Sequence, residues 1–250
     1  MGISNGFIQL MLALVSAFFV LVTLGFLNRK LLKLWYITAV YGRYSYEFLN
    51  FFSMNKLRNP FNGCIKDEIP VHLEVFFRKT KNSEEFQTEV PIDYPDVPFM
   101  SEKRSLFRIK GKPDCLKVAF ADGIRFIIMG YHEKLMGCRM RSIFYFVNDR
   151  FVMGEILFTD LTRVSPVKLA ETLSAKYLKG KLINLDTFYI KNTGGNHLNF
   201  DYNGFTISVK YLYRGDPATN RILETVFNKA EIPGARLTGI PDSGELLDRF

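Results

Sequence analysis

The feature that most constrains this chain is an uncharged stretch at residues 7–27, FIQLMLALVSAFFVLVTLGFL. At about 1.5 Å per residue, a helix over these residues is roughly 31 Å long, close to the hydrocarbon core of a bilayer. The stretch therefore predicts a membrane span, for which we single out Phe7, Leu14, Phe18, Phe19 and Leu27. A cleaved signal peptide is disfavoured because residues 1–6 carry no Lys or Arg and the apolar run is long.

The charges that follow the stretch predict its orientation. Arg29, Lys30 and Lys33 come directly after it, whereas the leading residues are uncharged. Since basic residues favour the cytoplasmic side, the amino terminus is predicted outside and the body in the cytoplasm, at an inner membrane or its organellar equivalent. The same three residues are predicted to contact lipid headgroups. The predicted anchor covers residues 1–30.

The net charge indicates the kind of partner. The chain has a formal charge of +8 and a pI near 9.3. Such a charge suits anionic lipid headgroups, an acidic partner protein or nucleic acid. Next to a predicted anchor, headgroups and other membrane-protein subunits are the simpler partners, and nucleic acid is not favoured.

Residues 31–58 are unusually aromatic and predict an amphipathic helix at the membrane interface or on a partner. The residues predicted to dock are Trp35, Tyr36, Tyr41, Tyr44, Phe48, Phe51 and Phe52. Two alternatives stay open: this segment packs on the chain's own core, or it forms a second span and reverses the orientation.

Residues 66–250 predict an α+β body of antiparallel sheet with about two packed helices, divisible into lobes at 66–134 and 139–230. Apolar runs predict strands at 71–77, 106–109, 116–120, 124–129, 142–147, 151–158, 188–190, 198–200 and 205–213. Helices are predicted after Ser165 and after Asp216, because both side chains can cap a helix. Residues 79–100 contain three prolines and predict an extended loop.

The sequence contains no motif that fixes a reaction. The three cysteines show no CxxC spacing and the three histidines are scattered, so we expect neither metal nor cofactor, and a reducing compartment fits. There is no GxSxG elbow, and Gly194-Gly195 lacks the context of a phosphate-binding loop. We therefore expect a protein that is not an enzyme.

Three functions remain as hypotheses. The first is a non-catalytic accessory or scaffolding subunit of a larger membrane complex, favoured because the apolar and aromatic surface is concentrated outside the predicted body. The second is a membrane-tethered domain that binds or senses a soluble ligand or partner. The third is a membrane enzyme of an unrecognised type.

Overall fold

A computed structural model describes residues 6, 11, 13–19, 28–61, 84–121, 123–135, 137–181 and 186–230. The chain divides into two compact units, Met1–Asn59 and Pro60–Phe250. Each unit is described by itself below. The strand predicted at residues 71–77 lies outside the described residues.

The described part of the first unit contains two short helices with defined ends, α1 (Arg29–Val40) and α2 (Tyr46–Met54), besides helical residues at positions 6, 11 and 13–19. Gly42 separates them with a φ of 84°, a left-handed value that glycine adopts without a steric penalty. Ser45 then caps α2, because its side-chain oxygen accepts a hydrogen bond of 3.1 Å from the backbone N–H of Phe48. The aromatic segment is therefore two helices rather than one.

The predicted membrane span, and the single-pass class of protein built on it, are wrong. No helix in the described part of the chain is long and apolar enough to cross a membrane. The longest continuous helix among the described residues has 14 residues. Its length is about 21 Å, whereas the hydrocarbon core of a bilayer is about 30 Å thick. Of residues 7–27 the structure describes residue 11 and residues 13–19, which include Leu14, Phe18 and Phe19 as exposed helical residues. Phe7 and Leu27 lie outside the described residues.

An eight-stranded sheet dominates the second unit, in the order β1-β6-β7-β8-β5-β4-β3-β2. The strands are β1 (Glu84–Thr88), β2 (Cys115–Ala121), β3 (Ile124–Leu135), β4 (Cys138–Val147), β5 (Arg150–Phe158), β6 (Thr187–Asn192), β7 (His197–Tyr202) and β8 (Ile207–Leu212). The prediction of a purely antiparallel sheet is wrong, because β1 pairs with β6 in parallel; the other six pairings are antiparallel.

Local turn signals explain the antiparallel pairs. Asn148 and Asp149 adopt φ values of 48° and 65° and join β4 to β5, and Asn and Asp tolerate the positive φ that such a tight hairpin turn requires. The Asn203 side chain accepts hydrogen bonds from the backbone N–H groups of Phe205 and Thr206 in the β7–β8 turn. These short connections bring neighbours in the sequence together as neighbours in the sheet.

Among the described residues of the second unit, three helices accompany the sheet: α3 (Lys103–Lys110), α4 (Pro166–Leu178) and α5 (Pro217–Ala230). The predicted caps of the last two are confirmed, since Ser165 accepts from the N–H of Lys168 and Asp216 accepts from the N–H of Thr219. The strand predicted at residues 106–109 is wrong, because these residues belong to α3. The loop predicted at residues 79–100 contains β1.

One face of the sheet carries an apolar row that crosses all eight strands. Residues paired across neighbouring strands point to the same face. The paired residues of this apolar row are Phe86, Ile190, Leu198, Tyr211, Gly154, Phe144, Met129 and Leu116. Tyr94 packs over Gly154, where an added Cβ would lie 2.2 Å from the Tyr94 ring. Helix α4 contacts β1, and the Thr88 hydroxyl donates a 2.6 Å hydrogen bond to the carbonyl of Tyr177.

Candidate functional site

The residues predicted to dock a partner differ in exposure. The exposed ones are Trp35, Tyr36 and Tyr41. The half-buried ones are Tyr44 and Phe52, and the buried ones are Phe48 and Phe51. The ring centroids of Phe48 and Phe52 lie 5.0 Å apart, and those of Phe51 and Phe52 lie 5.8 Å apart. The phenylalanines of α2 therefore pack together instead of forming a free surface.

Helix α1 carries an exposed apolar surface. Trp35 is 71% exposed and Tyr36 is 55% exposed. At 100° per residue, the exposed large side chains of α1 occupy one half of the helix, which we call the α1 apolar face: Leu31, Leu32, Trp35, Tyr36 and Val40. Ile37 lies on the opposite half and is buried. Of the residues predicted to dock, Trp35 and Tyr36 belong to the α1 apolar face and Tyr41 lies outside it.

The described part of the first unit is strongly basic. Residues 28–61 contain six Lys or Arg residues, namely Arg29, Lys30, Lys33, Arg43, Lys56 and Arg58, against one acidic residue, Glu47. All six basic residues are exposed. The predicted headgroup contacts of Arg29, Lys30 and Lys33 stay a prediction. The α1 apolar face is thus flanked by positive charge.

On the face of the sheet opposite the apolar row, one line of polar residues crosses five strands. The residues that follow one another in register there, which we call the polar row, are Glu85, Tyr189, Asn199, Lys210 and Glu155. Lys210 is only 6% exposed. Across the remaining strands the same row continues as Ile143, Gly130 and Cys115. Each residue of the polar row directly precedes or follows a residue of the apolar row in the sequence. Because successive side chains of a strand point to opposite faces, the two rows lie on opposite faces of the sheet.

Glu155 is the centre of a hydrogen-bonded cluster within the polar row. The Ser208 hydroxyl donates a hydrogen bond of 2.6 Å to Glu155 Oε1. Burial, together with the charge of the Glu155 carboxylate and the hydrogen bond to it, raises the pKa of Tyr145 well above its ordinary value. Lys210 lies directly opposite Glu155 in register. This arrangement brings two hydroxyl groups to the Glu155 carboxyl group, with Lys210 opposite it in register.

Tyr189 and His197 form a second polar pair, on the β6–β7 hairpin. The Tyr189 hydroxyl is hydrogen-bonded to His197 Nδ1, and the two rings meet edge to face at 4.8 Å. Burial lowers the pKa of His197 to about 4, and the positive charges of Arg214 and Lys191 add to this effect. His197 is therefore neutral at physiological pH. Burial also raises the pKa of Tyr189 above its ordinary value.

A groove of about 870 Å³ follows β1 at the edge of the described sheet. Its lining includes every residue of 85–91, the carboxyl-terminal turn of α4 and the start of the β6–β7 turn. The lysines in its lining are Lys179, Lys181 and Lys191, and the acidic residues are Glu85 and Glu89. Lys181 Nζ lies 5.1 Å from the ring centroid of Phe86, at the distance of a cation–π contact. The lining therefore combines charged side chains with the apolar ring of Phe86.

The cysteines do not form a metal site in the part of the chain that the structure describes, which contains no group of three or more His, Cys, Asp or Glu able to hold a metal ion. Cys115 is disulfide-bonded. Cys138 is a buried free cysteine. Disulfides persist mainly in oxidising compartments, and the predicted cytoplasmic location stays a prediction.

Comparisons with protein-family models, with curated proteins and with solved structures give no match to this chain. The polar row and the β1 groove were not found by sequence reasoning. A signal for the polar row was present in β7 and β8, where polar and apolar residues alternate along the strand. In HLNFDY the first, third and fifth residues are polar, and in ISVKYL the second and fourth are polar. The groove had no such signal, because it depends on the pairing of β1 with a strand about a hundred residues later.

Proposed function

We propose that this protein is a non-catalytic accessory subunit that binds a partner protein within a larger assembly through the α1 apolar face. The observation that carries the proposal is the exposure of five large apolar side chains on one half of a 12-residue helix. Scattered exposed apolar residues are ordinary, whereas a contiguous apolar patch indicates an interaction site. No finding tests the predicted location, which is not part of this proposal.

The geometry of α1 fits recognition of a helix in a groove. The exposed residues recur at spacings of one, three and four, so they form a stripe along the helix axis. An amphipathic helix binds by laying such a stripe into an apolar groove of its partner. Trp35 and Tyr36 lie in the middle of the stripe, and aromatic residues at the centre of an interface commonly contribute most of the binding energy.

The charge of the first unit indicates the partner's chemistry. Arg29, Lys30 and Lys33 are exposed on α1, and the excess of basic over acidic residues in residues 28–61 is five. Complementary potentials accelerate association and disfavour wrong partners. We therefore propose a partner whose apolar groove has an acidic rim.

The experiment compares two variants of the full chain during purification from the native cell after chemical cross-linking. Trp35→Ser with Tyr36→Ser should remove a defined set of partners that co-purify in fixed ratio with the unaltered chain. Tyr41→Ser is the matched control, because Tyr41 is exposed but lies outside the α1 apolar face. Phe48 is unsuitable for this test, since it is buried and its replacement would open a cavity.

Two outcomes would contradict the proposal. In the first, the same partners are recovered with the Trp35 and Tyr36 variant as with the unaltered chain. In the second, no partner is recovered, and the purified chain binds vesicles of anionic lipid in a manner that the same two substitutions abolish. That second result would assign the α1 apolar face to a lipid surface.

A further inference from the structure

We propose that Lys103, Arg104 and Arg125 form a binding site for a phosphate group. Lys103 and Arg104 are the first two residues of α3, and Arg125 is the second residue of β3. The three side chains therefore come from two elements that are distant in the sequence. The inference goes beyond the proposed function, because it concerns a different unit of the chain and a small anion instead of a partner protein.

One carboxylate, that of Asp149 in the β4–β5 turn, lies among these cations. Arg125 Nη2 forms an ion pair with Asp149 Oδ2, and Lys103 Nζ lies 4.0 Å from Asp149 Oδ1. The second distance is too long for a hydrogen bond. Arg104 is exposed and forms no ion pair with any residue that the structure describes. Three positive charges therefore share one negative charge.

The neighbouring acidic residue does not correct this imbalance. Glu102 directly precedes α3, but its side chain does not cap the helix. Instead, Glu102 Oε1 lies 3.4 Å from Arg150 Nη2, so these two charges balance each other. The first turn of α3 contains no acidic residue. Because the start of a helix carries a partial positive charge, two basic residues there add to a potential that is already positive.

The environment of Lys103 shows the effect of the shared charge. Its side chain is 25% exposed. Burial lowers the pKa of its ammonium group, and the positive charges of Arg125 and Arg104 add to this effect. Since both charges act on Lys103, the three cations lie within electrostatic reach of one another. An anion bound among them would stabilise the charged form of Lys103.

The chemistry of the three cations indicates a phosphate group. A guanidinium group donates from a planar fork that fits two phosphate oxygens, and a lysine ammonium group binds phosphate as a point charge. A phosphate monoester carries about −1.5 to −2 charges at pH 7. This charge matches the two positive charges that Asp149 leaves unbalanced. A soluble phosphate ester and a phosphorylated lipid headgroup offer the same oxygens to such a site.

The first experiment measures the binding of inorganic phosphate to the purified full-length chain by titration calorimetry, with chloride at the same ionic strength as the reference. Arg104→Gln is the main variant, because this exposed side chain can be changed without opening the core. Lys103→Met keeps the length of the side chain and removes its charge. Arg108→Gln is the matched control, since Arg108 is an exposed residue in the last turn of the same helix.

The unaltered chain should bind phosphate, and the amide signals of residues 103, 104 and 125 should shift during the titration. Arg104→Gln and Lys103→Met should each raise the dissociation constant about tenfold, the change expected when one charge-assisted hydrogen bond is lost. Arg108→Gln should change it less than about twofold, because Arg108 lies outside the cluster. Circular dichroism verifies that all variants are folded.

A second experiment distinguishes the two sources of the phosphate group. Vesicles of neutral phosphatidylcholine are compared with vesicles that also contain a phosphorylated phosphatidylinositol. Binding to the second kind alone, lost with Arg104→Gln and kept with Arg108→Gln, would assign the site to a lipid headgroup. Binding of inorganic phosphate without binding to these vesicles would assign it to a soluble phosphate ester.

Two results would overturn the proposal. In the first, phosphate produces no more heat and no larger amide shifts than chloride, and any binding to vesicles is lost with Trp35→Ser and Tyr36→Ser but kept with Arg104→Gln. In the second, Arg104→Gln and Arg108→Gln weaken phosphate binding equally, which would reduce the effect to general attraction by a basic surface. Neither result bears on recovery of partner proteins through the α1 apolar face, so the two proposals fail separately.

Discussion

The two faces of the sheet differ although their residues alternate along the same strands. The apolar row contains Phe144 between Gly154 and Met129, all without significant exposure, whereas the polar row of the other face contains Glu155 opposite a buried Lys210. One face is stabilised by removing apolar surface from water. The other face also buries apolar residues, among them Ile143, Met153 and Leu212. In addition it must satisfy charges and hydroxyl groups that are removed from water, which is costly unless they are paired.

The two faces contribute differently to the stability and the specificity of this sheet. Aromatic rings on the apolar face meet in close pairs, with Tyr94 at 5.0 Å from Phe144 and 5.5 Å from Phe151. The polar face contributes hydrogen bonds of definite direction, such as that of Ser208 to Glu155. Replacement of an apolar residue should therefore cost more than replacement of a polar one. Acidic pH should lower the stability of the folded chain through titratable side chains of the polar face.

The largest effect is expected for Phe144→Ala. Phe144 is fully buried and contacts Tyr94, Tyr131 and Phe151, so its removal leaves a cavity and should lower the free energy of unfolding by about 3–5 kcal/mol. Urea unfolding of the purified chain measures this change. Phe205→Ala is the matched control, because Phe205 is 83% exposed, and it should change the free energy by less than about 0.5 kcal/mol. Equal losses in the two variants would show that the apolar row is not what stabilises the sheet.

A smaller effect is expected for Glu155→Gln, which keeps the shape of the side chain and removes its charge. The variant leaves Lys210 buried opposite a neutral group and weakens the hydrogen bonds of Tyr145 and Ser208, so unfolding should become easier by about 2–3 kcal/mol. Glu171→Gln, on the exposed side of α4, is the control and should have little effect. The double variant with Lys210→Gln should lose less than the sum of the single losses, and additive losses would mean that the two residues do not interact.

The smallest effect is a dependence of stability on pH that His197 contributes. Its pKa is lowered to about 4 in the folded chain, against about 6.5 when unfolded. Between these values the unfolded state binds more protons, so stability should fall as the pH falls from about 6.5 to about 4. Thermal unfolding of His197→Gln should show a weaker loss over this range than the unaltered chain. Parallel profiles for the two proteins would exclude His197 as a source of the dependence.

Sequence reasoning located most of the sheet because most of its signals are local. Asn148 and Asp149 specify a tight turn, and the apolar runs on either side become β4 and β5. Ser165 and Asp216 predict the starts of helices, because each side chain accepts a hydrogen bond from the backbone N–H of the residue three positions later. The wrong predictions also have physical reasons. Residues 106–109 form an apolar run that is too short to distinguish a strand from a helix. In α3, Arg108 and Lys110 lie in the last turn, where basic residues favour the helix dipole.

The candidate sites were harder to predict because they depend on residues that are distant in the sequence. Trp35 and Tyr36 belonged to the predicted contact segment, yet the face of α1 that is exposed could be chosen only once Ile37 was known to be buried. Glu155 becomes part of the polar row because β5 pairs with β8, about fifty residues later. The apolar stretch at residues 7–27 predicted a span from its composition alone, and no helix of the required length and apolarity occurs in the described residues.

Short-range signals were enough to predict the strand-rich body and the helix caps, because each depends on side chains within a few residues of one another, and the positive charge follows from composition alone. The parallel addition of β1, the polar row and the exposed half of α1 depend on contacts between distant residues and are seen only in the folded chain. Alternation within a strand says that two faces differ, but it does not say which face will be buried or what will lie opposite. Burial is a property of the whole fold, since it arises when elements far apart in the chain come into contact.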